Sequence, residues 1–256
     1  MHVIALFGPT GVGKTAVALA VARRLRARGE DPVAVSADAL QVYAGLQILT
    51  GVASADERAQ LEHRLVSFVP LQERFSAGQY AKLAHAEIDG LLAAGRRPIV
   101  VGGTGLYLRA ALTELDFKPR PPGDPSQLWS EEVRHPTLLV GLTMERQALY
   151  AQIDARVQAI LDAGAREEVE RAHAACASLT ARKALGFEEL LADDVETMKR
   201  HTRNYARRQL SWMRKLAGVR LIDVTSRDPD DVAREILSGR GAGPPPDHPP
   251  RWTRAI

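Results

Sequence analysis

The chain has 256 residues, 45% of them hydrophobic and 25% charged, with a formal net charge of +3. Those are the proportions of an ordinary globular protein long enough to bury one full core, and they exclude a disordered or collagenous chain. A single cysteine, Cys176, excludes a disulfide framework and suits a reducing cytoplasm, and no stretch is apolar for long enough to span a membrane.

In chain order, Val3–Phe7 reads as a buried strand, too short to be a signal peptide, and no targeting segment is expected ahead of it. It feeds Gly8-Pro9-Thr10-Gly11-Val12-Gly13-Lys14-Thr15, a G-x-x-x-x-G-K-T phosphate-binding loop, which opens into the helical pattern Ala16–Leu25. A chance Gly-rich turn is the plain alternative, but the full spacing between strand and helix argues for the loop. Its backbone N–H groups would point at a bound anion, Lys14 would add a cation, and the Thr15 hydroxyl could ligand a magnesium ion held by phosphates. The pattern alone does not say which diphosphate or triphosphate binds.

Val33-Ala34-Val35 reads as a second strand ending at Ser36-Ala37-Asp38, and Leu65–Val69 as a short third. An amphipathic helix is predicted over Ala77–Leu92, a strand over Ile99–Val101 and a helix over Thr104–Leu112. Continuous apolar strands alternating with helices predict an α/β fold with a parallel sheet covered on both faces. Pro119–Pro125 breaks the pattern as a loop or linker. Thr137–Gly141 resumes as a strand, followed by helices over Glu145–Ala163, Ala165–Ala175, Thr180–Leu191 and Val195–Leu216. A strand over Val219–Asp223 and a helix near Asp230–Leu237 close one domain over residues 1–238. From Gly239 the chain is too rich in Gly and Pro to pack, which predicts a disordered tail over 239–256.

Three segments bear on chemistry. Asp38 falls at the carboxyl end of the second strand, on the sheet edge where ligands of such folds bind. It could ligand metal or accept a proton, or merely cap a helix. Gly102-Gly103-Thr104-Gly105 ends its strand without the acid that holds magnesium-bound water in most phosphate-loop NTPases, which argues against ordinary ATP hydrolysis. The glycines there are expected to let a substrate approach the backbone. Third, Lys199–Lys215 forms a basic helix on which Arg200, Arg203, Arg207 and Arg214 share one face, and Tyr205, Gln209, Trp212 and Leu216 face the core. No acid occurs from Thr197 to Ile222, so these cations lack helical partners and suit either a diphosphate or a nucleic-acid backbone.

Together these residues resemble the tRNA dimethylallyltransferase (isopentenyltransferase) family. The resemblance rests on GPTGVGKT at Gly8–Thr15, D-A-L-Q-V-Y at Asp38–Tyr43, H-R-L at His63–Leu65 and F-S-A-G-Q-Y at Phe75–Tyr80. R-P-I-V-V-G-G-T-G-L-Y at Arg97–Tyr107 and T-R-N-Y-A-R-R-Q-L-S-W at Thr202–Trp212 follow in family order. It implies a phosphate-loop fold with a helical C-terminal portion, and transfer of a dimethylallyl group from its diphosphate to the exocyclic amine of the adenosine 3′ of a tRNA anticodon. Residues Gly8, Pro9, Thr10, Gly11, Val12, Gly13, Lys14 and Thr15 would then grip the diphosphate, with Mg2+ on Thr15. Asp38 would take the amine proton, with Lys14, Thr15 and Arg203 completing the catalytic group. Asp38, Ala39, Leu40, Gln41, Thr104, Arg207 and Arg208 would face the tRNA anticodon stem-loop. A cytoplasmic monomer is expected.

The chain departs from the family pattern in three places. After Tyr43 the usual G-L/M-D-I-G-T-A-K-P is Gly45–Ala53 without its acid, lysine and proline, and Ala39 replaces a serine. The helical insertion is reduced to a linker near 116–136, so its R-x-x-R-A-L-E motif has no counterpart. I-G-Y-K-E reads Leu185-Gly186-Phe187-Glu188-Glu189. Three other readings stay open: transfer to a free adenine nucleotide, a non-catalytic nucleotide- or RNA-binding relic, and a small-molecule kinase.

Overall fold

A computed structural model describes residues 2–115, 117, 129 and 132–238. Six parallel strands, β1 (Val3–Phe7), β2 (Pro32–Ser36), β3 (His63–Arg64), β4 (Arg97–Gly102), β5 (Thr137–Thr143) and β6 (Arg220–Asp223), form one sheet in the order β3-β2-β4-β1-β5-β6. Parallel strands joined by helical crossovers have both faces covered, which is why all five residues of β1 are buried. Successive side chains divide between the faces. Ile4 and Leu6 join a core with α1 (Lys14–Arg26) and α10 (Pro229–Leu237), whereas Val3, Ala5 and Phe7 join one with α4 (Ala77–Ala93) and α5 (Gly105–Leu112). Because every strand runs the same way, Gly8, Asp38, Gly103 and the end of β5 lie along one edge.

The remaining helices are α2 (Gln47–Thr50), α3 (Ala55–Gln60), α6 (Arg146–Asp162), α7 (Ala165–Ala174), α8 (Phe187–Leu191) and α9 (Val195–Met213). Two expectations need correction. The strand predicted over Leu65–Val69 is instead His63–Arg64, because Leu65 and Ser67 adopt positive φ, 58° and 52°, which strand geometry forbids; only Val69 bridges back, to Tyr43. The helix predicted over Thr180–Leu191 is two pieces, a 3-10 turn at Ala181–Lys183 and α8, broken at Gly186 with φ 96°. Helix α3 was not expected, although its signal was present. Ser54 accepts from Glu57 N–H while Glu57 accepts from Ser54 N–H, a complete capping box. The Pro119–Pro125 loop and the 239–256 tail lie outside the described residues, as does most of the reduced insertion. Among the described residues no helix is long and apolar enough to cross a membrane.

Helix α2 has too few residues to be stable alone, and a carboxylate from elsewhere anchors it. Glu168 on α7, only 6% exposed, accepts Ile48 N–H at 2.9 Å through Oε1 and Leu49 N–H at 2.8 Å through Oε2. Replacing it with alanine strands two buried amides, and Glu168→Ala is expected to lower unfolding free energy by about 2–4 kcal/mol in a urea titration.

Candidate anion-binding and prenyl-transfer site

The phosphate loop closes on the α1 N-terminus, with Gly11 and Gly13 at φ 81° and 89°, values that glycine adopts without strain. The first N–H groups of α1 have no partner within the helix and are oriented by it toward the loop's concave side. Lys14 Nζ donates to the carbonyls of Gly8 at 3.0 Å and Pro9 at 2.9 Å. Burial holds Lys14 down at about 8, against an upward pull from Asp38 and with a further downward push from Arg156.

Above the loop lies a cavity of about 500 Å³ lined by Thr10, Gly11, Gly13, Lys14, Thr15, Asp38, Leu40, Gln41, Arg156, Tyr205 and Gln209, among others. It brings together most of the loop residues with Asp38, Leu40 and Gln41. Asp38 Oδ1 accepts the N–H groups of Leu40 at 2.9 Å and Gln41 at 3.4 Å, so Asp38 caps the following turn while its carboxylate borders the cavity. Thr104 steadies that turn by accepting Ala39 N–H at 3.2 Å. The amide of Gln41 is occupied within the chain: it accepts from Ser36 Oγ and donates to the carbonyls of Thr50 and Gly51 at 3.3 and 3.0 Å.

Three sequence-based expectations change here. The glycines at the end of β4 make room first for the chain itself, although Gly102 also borders the cavity. A Cβ on Gly102 would lie 2.1 Å from Ala37 O, one on Gly103 2.3 Å from Gln209 Nε2, and one on Gly105 2.1 Å from the Trp212 ring. Gln209 and Tyr205, placed in the core by helical periodicity, belong to the site. Gln209, 5% exposed, accepts Thr10 N–H at 2.8 Å and donates to Gly103 O at 2.7 Å, tying α9 to the phosphate loop and to the end of β4. Burial pushes the Tyr205 phenol up to about 12. Of the arginines of α9, Arg203 finds an acidic partner from beyond local sequence, whereas Arg207 and Arg208 contact neutral neighbours on the helix itself. Arg203 pairs with Asp154 on α6 and lies 5.5 Å over the Tyr150 ring; Arg207 donates to Asn204, and Arg208 lies over Tyr205. Arg203, Arg207 and Arg208 are not among the cavity's lining residues. Arg156, which no motif singled out, is.

The fold and site define a phosphate-loop α/β protein whose loop cavity is bordered by residues of the basic helix α9 and by Asp38 and Glu57. A family model described as IPP transferase matches residues 41–135 and 122–216. A tRNA dimethylallyltransferase of Rhodospirillum centenum is 36% identical, the match covering 86% of this chain and 91% of that one, and one of Anaeromyxobacter sp. (strain K) is 34% identical, covering 94% and 98%. The first alignment runs over 291 positions, more than the 256 residues here, so that relative carries residues this chain lacks. The crystal structure of the full-length tRNA isopentenylpyrophosphate transferase from Bacillus halodurans superposes with a TM-score of 0.80 at 27% identity, covering 92% of this chain and 94% of that one. A eukaryotic dimethylallyltransferase solved acting on tRNA shares the fold, with a TM-score of 0.74 at 21% identity, covering 88% of this chain and 74% of that one. The chain belongs to the IPP transferase family.

Lys14 binds an anion best while protonated, and in the free protein it loses its proton as pH rises through about 8. Affinity for inorganic pyrophosphate, measured calorimetrically from about pH 7 to about pH 9, is therefore expected to fall across that range relative to Lys14→Met, in which the group cannot titrate.

Proposed function

We propose that this chain transfers a dimethylallyl group from dimethylallyl diphosphate to the exocyclic amine of the adenosine 3′ of a tRNA anticodon, as a cytoplasmic monomer. The observation that carries the reading is the convergence on one cavity of a phosphate loop with its lysine and the Asp38 carboxylate at the end of β2, in a member of the IPP transferase family. The end of β4 offers no carboxylate to hold a nucleophilic water, which suits a transferase rather than a nucleotide hydrolase.

In the reaction the bond between the allylic carbon and the diphosphate oxygen breaks, and the bonding pair leaves on pyrophosphate. The adenine amine forms the new C–N bond and gives up one proton. The loop N–H groups and Lys14 stabilise the growing negative charge on pyrophosphate, where low dielectric strengthens each contact. The Asp38 carboxylate accepts the amine proton. Its turn is pinned by Leu40, Gln41 and Thr104, so it is oriented before the base arrives. The donor set fits a magnesium ion carried largely by the diphosphate. Thr15 lines the cavity, and among the described residues no cluster of three or more His, Cys, Asp or Glu side chains could hold a metal alone. Bound there, the ion would neutralise phosphate charge. Arg207 and Arg208, exposed on α9 outside the cavity, are placed to meet an RNA backbone, and the reacting adenine must be splayed out of its loop to enter.

Incubation with dimethylallyl diphosphate, Mg2+ and an anticodon stem-loop is expected to yield prenylated adenosine in the RNA. Prenylated AMP in place of prenylated RNA would move the assignment to the free-nucleotide enzyme. Asp38→Asn is expected to lower kcat by about a hundredfold to ten-thousandfold and leave pyrophosphate affinity near wild type. Unchanged turnover in that variant would remove Asp38 as the base.

A further inference from the structure

We propose that Tyr205 is a positioning residue for the transfer, its hydroxyl joining the Gln209 amide that holds the phosphate loop to the Thr104 hydroxyl that holds the Asp38 turn. The proposal deepens the prenyl-transfer reading and rests on it.

Tyr205, Gln209 and Trp212 stand at helical spacing on one face of α9, and that face lies across the end of β4. A Cβ on Gly103 would meet Gln209 Nε2 at 2.3 Å, and one on Gly105 would meet the Trp212 ring at 2.1 Å. Thr104 stands between these two contacts. Tyr205, one turn before Gln209, lines the cavity together with Asp38 and Gln209, and the side chains of Thr104 and Gln209 are its hydrogen-bonding neighbours. The Arg208 guanidinium packs 5.5 Å over its ring.

Each neighbour already has a fixed task. Gln209 accepts Thr10 N–H at 2.8 Å and donates to Gly103 O at 2.7 Å. Thr104 accepts Ala39 N–H at 3.2 Å, beside the two amides that Asp38 caps. Neither has spent its full capacity: a primary amide keeps a second N–H and a second lone pair, and a hydroxyl donates one hydrogen and accepts two. A phenol can serve both, and burial, which pushes Tyr205 up to about 12, keeps its proton in place at neutral pH. Asp38 acts on Tyr205 only through space, so the phenol reaches the carboxylate by holding its turn. The run from Thr10 through Gln209, Tyr205 and Thr104 to Ala39 thus joins the anion grip to the proton acceptor. The alternative is a ring that merely walls the cavity, a task phenylalanine performs equally well.

Tyr205→Phe keeps the ring and removes the bridge. In steady-state prenylation of an anticodon stem-loop by the full chain, it is expected to lower kcat on the order of tenfold. KM for dimethylallyl diphosphate, calorimetric pyrophosphate affinity and the thermal midpoint are expected to stay near wild type. A residue that works through Asp38 has nothing to position once that carboxylate is gone. Tyr205→Phe is therefore expected to change kcat by no more than about twofold in the Asp38→Asn background. Wild-type kcat in Tyr205→Phe, or the same tenfold loss in both backgrounds, would overturn the proposal and leave the transfer reading standing. Wild type that prenylates neither RNA nor AMP removes the transfer reading and the proposal with it.

Discussion

One primary amide holds the site together. Gln209 must satisfy a backbone N–H and a backbone carbonyl on two segments that are distant in sequence, and an amide has one donor end and one acceptor end for that purpose. Thr10 and Gly103 belong to the loops after β1 and β4, neighbouring strands whose ends would otherwise face water independently. With the amide between them, α9 is fastened across the carboxyl edge of the sheet. Gly103 has to be glycine because the amide occupies the space a Cβ would need. The loop is thereby shaped before any anion arrives, the condition under which fixed dipoles stabilise charge without reorganising.

A second tier of contacts sets the opposite wall. Glu168 holds α2, and the carbonyls at its end, Thr50 and Gly51, receive Gln41 and Arg156. Gln41 in turn extends the turn begun by Asp38. The carboxylate and the guanidinium are thus placed by one continuous chain of hydrogen bonds running from α7 to β2. This arrangement occupies the stretch where the usual family pattern after Tyr43 is absent, and a buried glutamate from α7 anchors it.

The sheet was legible in sequence because parallel, doubly covered strands must be continuously apolar. The phosphate loop was legible because its spacing encodes local backbone geometry. The helices of the second half were readable where one amphipathic face ran unbroken; Gly186 spoiled the segment in which it did not. Contacts between segments far apart in the chain were not legible. Asp154 and Arg203 each look like a solvated charge, and only the packing of α6 on α9 joins them. Helical periodicity correctly put Gln209 on the inward face, but a wheel cannot tell a core from the roof of a cavity. Arg156 carried no signal at all, since D-A-R-V within an amphipathic helix reads as an ordinary exposed turn.

The charges that border the cavity favour an anion as its occupant. Lys14 and Arg156 are both depressed by burial, and Arg156 lowers Lys14 further. Asp38 is the facing carboxylate that offsets them through space, and the proposed reaction needs it free to accept a proton. Burial holds both cations down, and a multiply charged diphosphate would offset that cost. Its arrival also returns Lys14 toward the protonated state, so binding and charging of the lysine are linked. As the allylic bond lengthens, negative charge gathers on pyrophosphate, where these cations are strongest. The acceptor amine starts neutral and becomes acidic only once the new bond forms. In the proposed reaction Asp38 acts by its position beside the amine, and position is what its capped turn supplies.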